Sequence, residues 1–209
     1  MKRKKEVKLE FSEIKEMQHG ILFIITAPSG AGKTSLVNAI IKQCAEICVS
    51  VSHTTRPPRD NEVHGRDYFF TSLDRFKEMR GKDEFFESAE VYGNFYGTSA
   101  MWIKSKLEAG VDVILEIDWQ GARQARKLNS KSTSLFILPP SIETLEKRLK
   151  TRGQDNNGII ERRMKQAVTD LSHAKEADYV VINDQFDMAL EDILAIIRSE
   201  RLKFETGRH

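Results

Sequence analysis

The sequence predicts an α/β fold, a mostly parallel sheet flanked by helices. Three observations point there. Short β-rich apolar runs alternate with helical segments along the chain, without internal repeats or low-complexity stretches. The first such run, Ile21 to Thr26, passes directly into a glycine-rich loop and then a helix. Another, Val111 to Asp118, reads as a buried strand and ends in acidic residues, at the strand end where open α/β sheets bind ligands.

Taken in order, the strand Ile21 to Thr26 is followed by a helix from Thr34 to about Cys44 and a β-rich run from Ile47 to Ser52. The character then changes. From His53 to Asp67 the chain is polar, charged and proline-containing, and it continues through Tyr68-Phe69-Phe70, a helical Leu73 to Met79, a β-rich Glu84 to Val91 and a turn-rich Tyr92 to Gly97. This stretch reads as an inserted substrate lobe. A helix from about Ser99 stops at Gly110, and after the acidic-ended strand come a helix from Gly121 to Leu128, a strand from Ser134 to Leu138 and a helix from Ser141 to Lys150. The Gly/Asn-rich run from Arg152 to Gly158 breaks that helix from the next, which begins near Ile159. Asp178 to Asn183 is the last strand and Phe186 to Phe204 the closing helix. At the amino end, Leu9, Ile14 and Met17 lie at roughly helical spacing, compatible with a short amphipathic helix or a frayed extension.

Composition narrows the functional classes. The 33 basic and 31 acidic residues leave a net charge of +2, too balanced for a general nucleic-acid binder. No apolar run has the length of a signal peptide or membrane span, so a cytoplasmic protein without a membrane partner is expected. Cys44 and Cys48 are too few for a zinc site and read as buried free thiols.

The loop Ala27-Pro28-Ser29-Gly30-Ala31-Gly32-Lys33-Thr34 carries the clearest chemistry. Small residues let successive backbone N–H groups turn toward phosphates, and the following helix, opening through Thr34 and Ser35, presents its positive end. Lys33 can reach the β- and γ-phosphates of a nucleoside triphosphate, and the Thr34 hydroxyl can ligate Mg²⁺. Ala27 stands where the pattern usually opens with Gly, which requires a negative φ there.

Three further clusters bear on what the triphosphate is used for. In Ser52-His53-Thr54-Thr55-Arg56-Pro57-Pro58-Arg59, two arginines held apart by a stiff Pro-Pro pair suit a second anion. In Glu84 to Glu90, followed by Tyr96-Gly97-Thr98, a carboxylate and hydroxyls can read a base edge if they face inward; alternatively Glu87 lies on the polar face of an alternating strand. Arg148, Arg152, Arg162 and Arg163 flank the Gly/Asn break, where arginines can close over a transferring phosphoryl group. For Arg148 and Arg162 an exposed helical face is the preferred reading.

Together these segments resemble the guanylate kinase family from about Gly20 to about Arg201. The resemblance rests on the phosphate loop, Ser52 to Arg59, Glu62 to Phe70, Glu87 through Thr98, Ile117-Asp118-Trp119-Gln120-Gly121, and Arg152-Gly153 with Arg163 eleven residues on. It implies ATP-dependent phosphorylation of GMP, and of dGMP, to the diphosphate. It places Arg56, Arg59, Tyr68 and Tyr96 on the acceptor phosphate, Ser52, Glu87, Thr98 and Asp118 around guanine, and Lys33, Arg152 and Arg163 on the transferring group. Asn183 would approach the adenine of ATP, and Glu116, where the family commonly has Asp, would join Thr34 around Mg²⁺. The implied division is an extension over 1–19, a core of 20–52 with 111–140 and 171–209, a GMP-binding lobe of 53–110 and a helical lid of 141–170. Asp60-Asn61 and Asn156-Asn157-Gly158 depart from the family pattern. A peptide-binding module on the same scaffold, or a kinase for another phosphorylated small molecule, is the competing reading. Whether the chain is a monomer or a homo-oligomer is left open.

Overall fold

A computed structural model describes residues 19–151 and 157–203. The expectations for Leu9, Ile14, Met17, Arg152, Asn156 and the tail from Phe204 lie outside the described residues.

The core is a five-stranded parallel sheet. Its strands are β1 (Leu22–Thr26), β2 (Ile47–Val49), β7 (Asp112–Glu116), β8 (Thr133–Leu138) and β9 (Tyr179–Ile182), in the order β2-β7-β1-β8-β9. The central strand β1 is buried throughout because helices cover both faces. Phe23 and Ile25 point to one side, against Leu36, Val37 and Ile40 of α1 (Lys33–Gln43) and Ile193 and Ile197 of α7 (Phe186–Arg201). Leu22 and Ile24 point to the other, against Ile103 of α3 (Ala100–Glu108) and Ala125 of α4 (Trp119–Leu128). Each such aliphatic side chain is worth about 1.5–3 kcal/mol when fully buried.

Between β2 and β7 the chain forms a second sheet, β4-β3-β6-β5, from β3 (His53–Thr54), β4 (Phe69–Phe70), β5 (Phe85–Val91) and β6 (Asn94–Ser99), with α2 (Leu73–Gly81) connecting β4 to β5. Two sequence expectations are corrected here. The run expected to extend to Ser52 ends as a core strand at Val49; the Ser50 N–H still donates to the Ile114 carbonyl (3.0 Å), and by Ser52 the backbone pairs instead with Phe69 of the second sheet (2.9 Å). The stretch from Tyr92 to Gly97 is mostly strand. Only Tyr92 and Gly93 turn, at φ of 53° and 77°, and Asn94 to Gly97 pair antiparallel with Val91 back to Ser88. Gly97 is required by packing: a Cβ there would stand 2.9 Å from the Phe85 ring.

Gly110 does end α3, in the left-handed region at φ 74°. Beyond β8, α5 (Ile142–Thr151) and α6 (Asn157–Leu171) precede a 3₁₀ turn, Ala174–Glu176, that leads into β9. Cys44 and Cys48 are free, but each is partly exposed rather than buried: Cys44 caps the end of α1 and Cys48 lies on β2, an edge strand of the sheet.

Candidate active site

The phosphate loop joins β1 to α1. Gly30 and Gly32 hold φ of 91° and 95°, a region that L side chains rarely enter, while Ala27 has no positive φ, so its methyl is accommodated. Gly32 is the N-cap of α1 and offers no side-chain hydrogen bond, and the first turn has no acidic residue, which leaves the opening N–H groups for an anion. Leu145 and Leu149 of α5 press against Gly30, where a Cβ would meet each at 3.1 Å. Lys33 donates from Nζ to the Ile117 carbonyl (3.2 Å). Desolvation lowers its pKa below that of an ordinary lysine, and the surrounding carboxylates Glu116, Asp118, Asp170 and Glu87 act in the opposite direction. The Thr34 hydroxyl donates to the Glu116 carboxylate at the end of β7.

Facing this loop, the second sheet turns Glu87 inward. Its carboxylate is 3% exposed and accepts from the Thr98 hydroxyl (2.6 Å), which in turn lies 2.9 Å from the Ser52 hydroxyl. Burial pushes the Glu87 carboxyl up to about 7 against the pull of the Thr98 hydrogen bond, and the charge of Asp118 adds to the rise. Asp118 is the N-cap of α4, accepting from the Gly121 N–H (2.9 Å) and from Gln120 Nε2 (3.0 Å). Gln124 fastens α4 to β5, accepting from the Ser88 N–H (3.1 Å) and donating to the Ser88 carbonyl (2.8 Å).

The Arg56 guanidinium donates twice to Glu62, at 2.8 and 2.9 Å, and once to the Pro57 carbonyl (2.6 Å). Glu62 also accepts from the Arg59 N–H (2.8 Å), so one carboxylate shapes the whole arginine loop. Arg56 lies over the Tyr68 ring at 5.5 Å, and Tyr68 meets Tyr96 edge-on at 5.9 Å. Burial raises the Tyr68 hydroxyl to about 12.

A continuous cavity of about 330 Å³ unites these groups. Its walls include Ala27 to Gly30, Gly32, Lys33 and Thr34 of the loop, Glu87 and Tyr96 of the second sheet with Ser52, Arg56, Arg59 and Tyr68 from its connecting segments, Glu116 at the end of β7 and Asp118 beyond it, and Arg163 of α6. A cationic loop, the carboxylates of Glu87 and Asp118 and a phosphate loop thus open on one space. A family model described as guanylate kinase matches residues 19–200.

The chain belongs to the guanylate kinase family. It is 54% identical over 187 residues to a guanylate kinase of Hahella chejuensis, covering 90% of each chain. Against a guanylate kinase of Escherichia coli it is 54% identical over 189 residues, 90% of this chain and 91% of the relative. The crystal structure of guanylate kinase from Anaplasma phagocytophilum, at 32% identity, matches it with a TM-score of 0.76, covering 89% of this chain and 88% of that one.

Some residues singled out from the sequence stand apart from the cavity of this guanylate kinase family member. Ala31 is wholly buried, Ser35 is exposed on α1, and Thr98 sits behind Glu87. Asn183, expected beside adenine, is buried beneath the phosphate loop, where Nδ2 donates to the Ala31 carbonyl at 2.7 Å. The reason is local: a Cβ on Gly32 would be 2.3 Å from that same nitrogen, so the amide fills the space the glycine leaves. Arg148, read as part of an exposed face, donates from Nη2 to the Asn183 carbonyl (3.1 Å), and its buried Nη1 has no hydrogen bond among the described residues. Arg162 is exposed as expected.

Three contributors escaped the sequence reading of roles: Glu62, Gln166 and Asp170. The last two line the cavity beside Arg163. Their spacing of three and seven residues from Arg163 places them on one helical face, a signal present in the sequence. For a divalent cation, the Thr34 hydroxyl and Glu116 carboxylate form an adjacent pair of hard oxygen donors at the loop, a donor set that suits Mg²⁺.

Proposed function

We propose that this chain transfers the γ-phosphoryl group of ATP to GMP, and to dGMP, giving ADP and the guanosine diphosphate. The observation that carries this reading is the placement of Glu87, backed by Thr98, and Asp118 in the same cavity as the phosphate loop. Guanine presents N1–H and a 2-amino group as donors, and ionised carboxylates only accept. Adenine, with a lone pair at N1 and no 2-amino group, would leave those carboxylates unpaired, which is costly in a buried site.

The acceptor phosphate is already an anionic nucleophile, so no general base is needed. In this reading the work is positioning and charge stabilisation. Tyr68 and Tyr96, with Arg56 and Arg59 on the loop that Glu62 braces, would hold the acceptor phosphate. Lys33, Arg163 and Arg152 would hold the transferring group, Arg152 from outside the described residues. Mg²⁺ carried with ATP would be held by Thr34 directly and by Glu116, and supplies charge neutralisation at the β- and γ-phosphates. Residues 53–110 would act as the acceptor lobe and 141–170 as the lid, closing to exclude water. A cytoplasmic setting fits this chemistry. Among the described residues no helix is long and apolar enough to cross a membrane.

The test is a coupled assay of ATP consumption with GMP, dGMP, IMP, AMP, UMP and a ribose phosphate. GMP should be the best acceptor, IMP intermediate because it keeps N1–H and lacks the amino group, and AMP on the order of 10⁴-fold poorer in kcat/KM. Turnover of none of them would refute the enzymatic reading and favour the peptide-binding one.

A further inference from the structure

The reading above assigns two ends of the acceptor nucleotide. Its base lies toward Glu87, Thr98 and Asp118, and its phosphate toward Arg56, Arg59, Tyr68 and Tyr96. The sugar must span the space between. Across the cavity from the second sheet stands α6, which presents Arg163, Gln166 and Asp170 along one face. Arg163 supplies positive charge for phosphates. Asp170, two turns further along, cannot serve that purpose.

Resting on the reading that GMP is the acceptor, we propose that Asp170, oriented by Gln166, accepts hydrogen bonds from the ribose hydroxyls of the acceptor nucleotide. Five carboxylates line the cavity: Glu87, Glu90, Glu116, Asp118 and Asp170. A guanosine monophosphate offers few donors: N1–H, the 2-amino group and the sugar hydroxyls. Glu87 and Asp118 account for the base donors, Glu116 pairs with Thr34 at the phosphate loop and Glu90 is exposed, so the half-buried Asp170 is the carboxylate left to accept from the hydroxyls. Its placement agrees with this. Asp170 lines the same space as Asp118 of the base site and Lys33 of the phosphate loop, the space the sugar must cross.

The carboxylate is held for the purpose. Gln166 Nε2 donates to Asp170 Oδ1 at 3.0 Å, and both residues line the cavity. The Asp170 carbonyl accepts from the His173 N–H (3.0 Å). The His173 ring stacks on Trp119, 3.9 Å between centroids and 11° from parallel, and Trp119 directly follows Asp118. Glu176 grips both His173 (2.7 Å) and Arg123 of α4 (2.6 Å). The end of α6 is thereby fastened to the start of α4, and Asp170 is fixed relative to Asp118.

The test compares kcat/KM for GMP, dGMP and the 2′,3′-dideoxy analogue in the parent protein, Asp170→Ala and Asp170→Asn. The parent should prefer GMP over the dideoxy acceptor by about tenfold or more, as for loss of hydrogen bonds to a charged group. In Asp170→Ala that ratio should fall to within about twofold, while Asp170→Asn, whose carbonyl still accepts, should keep part of it. A ratio in Asp170→Ala equal to the parent's, or no preference in the parent, overturns the proposal. Should Asp170→Ala fail to fold, calorimetric dissociation constants for the three acceptors in the parent and Asp170→Asn decide in the same way. Absence of GMP turnover in the parent would instead refute the functional reading itself, so the two failures are distinct.

Discussion

Gly121 leaves the space that the Glu87 carboxylate occupies: a Cβ on Gly121 would stand 2.6 Å from Glu87 Oε2. Gly121 belongs to the first turn of α4, and its N–H is already taken by the N-cap Asp118 (2.9 Å). The two carboxylates that face the base site are therefore arranged around one helix start, and the absence of a single methyl group sets their separation.

Gly121→Ala should displace Glu87 without unfolding the protein. Alanine in a helix is about 0.5–1 kcal/mol better than glycine, and the atom that must yield is the end of a flexible side chain. The expected outcome is a GMP KM raised about tenfold or more, with ATP KM and thermal midpoint close to the parent's. Steady-state kinetics with each substrate varied in turn, beside a thermal melt, checks it. An unaltered GMP KM would show that Glu87 has no part in acceptor binding.

The raised Glu87 pKa gives a pH signature. Its carboxyl titrates at about 7 in the fold, against an ordinary 4.5. Guanine's donors favour the ionised form, so GMP binding below pH 7 should release a proton from Glu87, and affinity should rise with pH until about 7. The GMP phosphate itself titrates near 6, so calorimetry in buffers of differing ionisation enthalpy is compared between the parent and Glu87→Gln; the difference isolates the Glu87 proton. The same shift means the folded state binds more protons than the unfolded one between pH 4.5 and 7. This contribution to stability is full below 4.5 and is lost as pH rises through about 7, and Glu87→Gln should remove that slope.

Lys33→Met should abolish phosphoryl transfer and leave GMP binding largely intact. Lys33 stands on the phosphate loop, whereas the proposed acceptor contacts come from the second sheet and α4. Calorimetry with GMP and a single-turnover assay separate the two effects. Loss of GMP affinity together with turnover, in a folded variant, would contradict the two-loop assignment.

Arg163→Ala should lower kcat by about 10²-fold or more with little change in the GMP dissociation constant, because its contact is expected to strengthen only as charge moves in transfer. A change confined to GMP affinity would move Arg163 to the acceptor side.

Much of this protein is legible in its sequence because the signals are local. The strand, loop and helix from Leu22 to Gln43 declare themselves by consecutive residues, since backbone conformation at Gly30 and Gly32 depends on the residue itself and its immediate neighbours. The same holds for the stop at Gly110 and the alternation that makes the core sheet. Packing decided the remainder. Gly97 looks like a turn residue until the Phe85 ring is laid against it, and Gly121 looks incidental until Glu87 arrives from a strand more than thirty residues away. Asn183 and Arg148 acquire partners for the same reason: the Ala31 and Asn183 carbonyls that they bind are reached only when β9 and α5 close beneath the loop. Sequence alone determined the fold class, the phosphate loop and the residue types of the site. Tertiary structure alone decided which of those side chains share one cavity, because hydrogen bonds and steric exclusion act over a few ångströms between segments far apart in the chain.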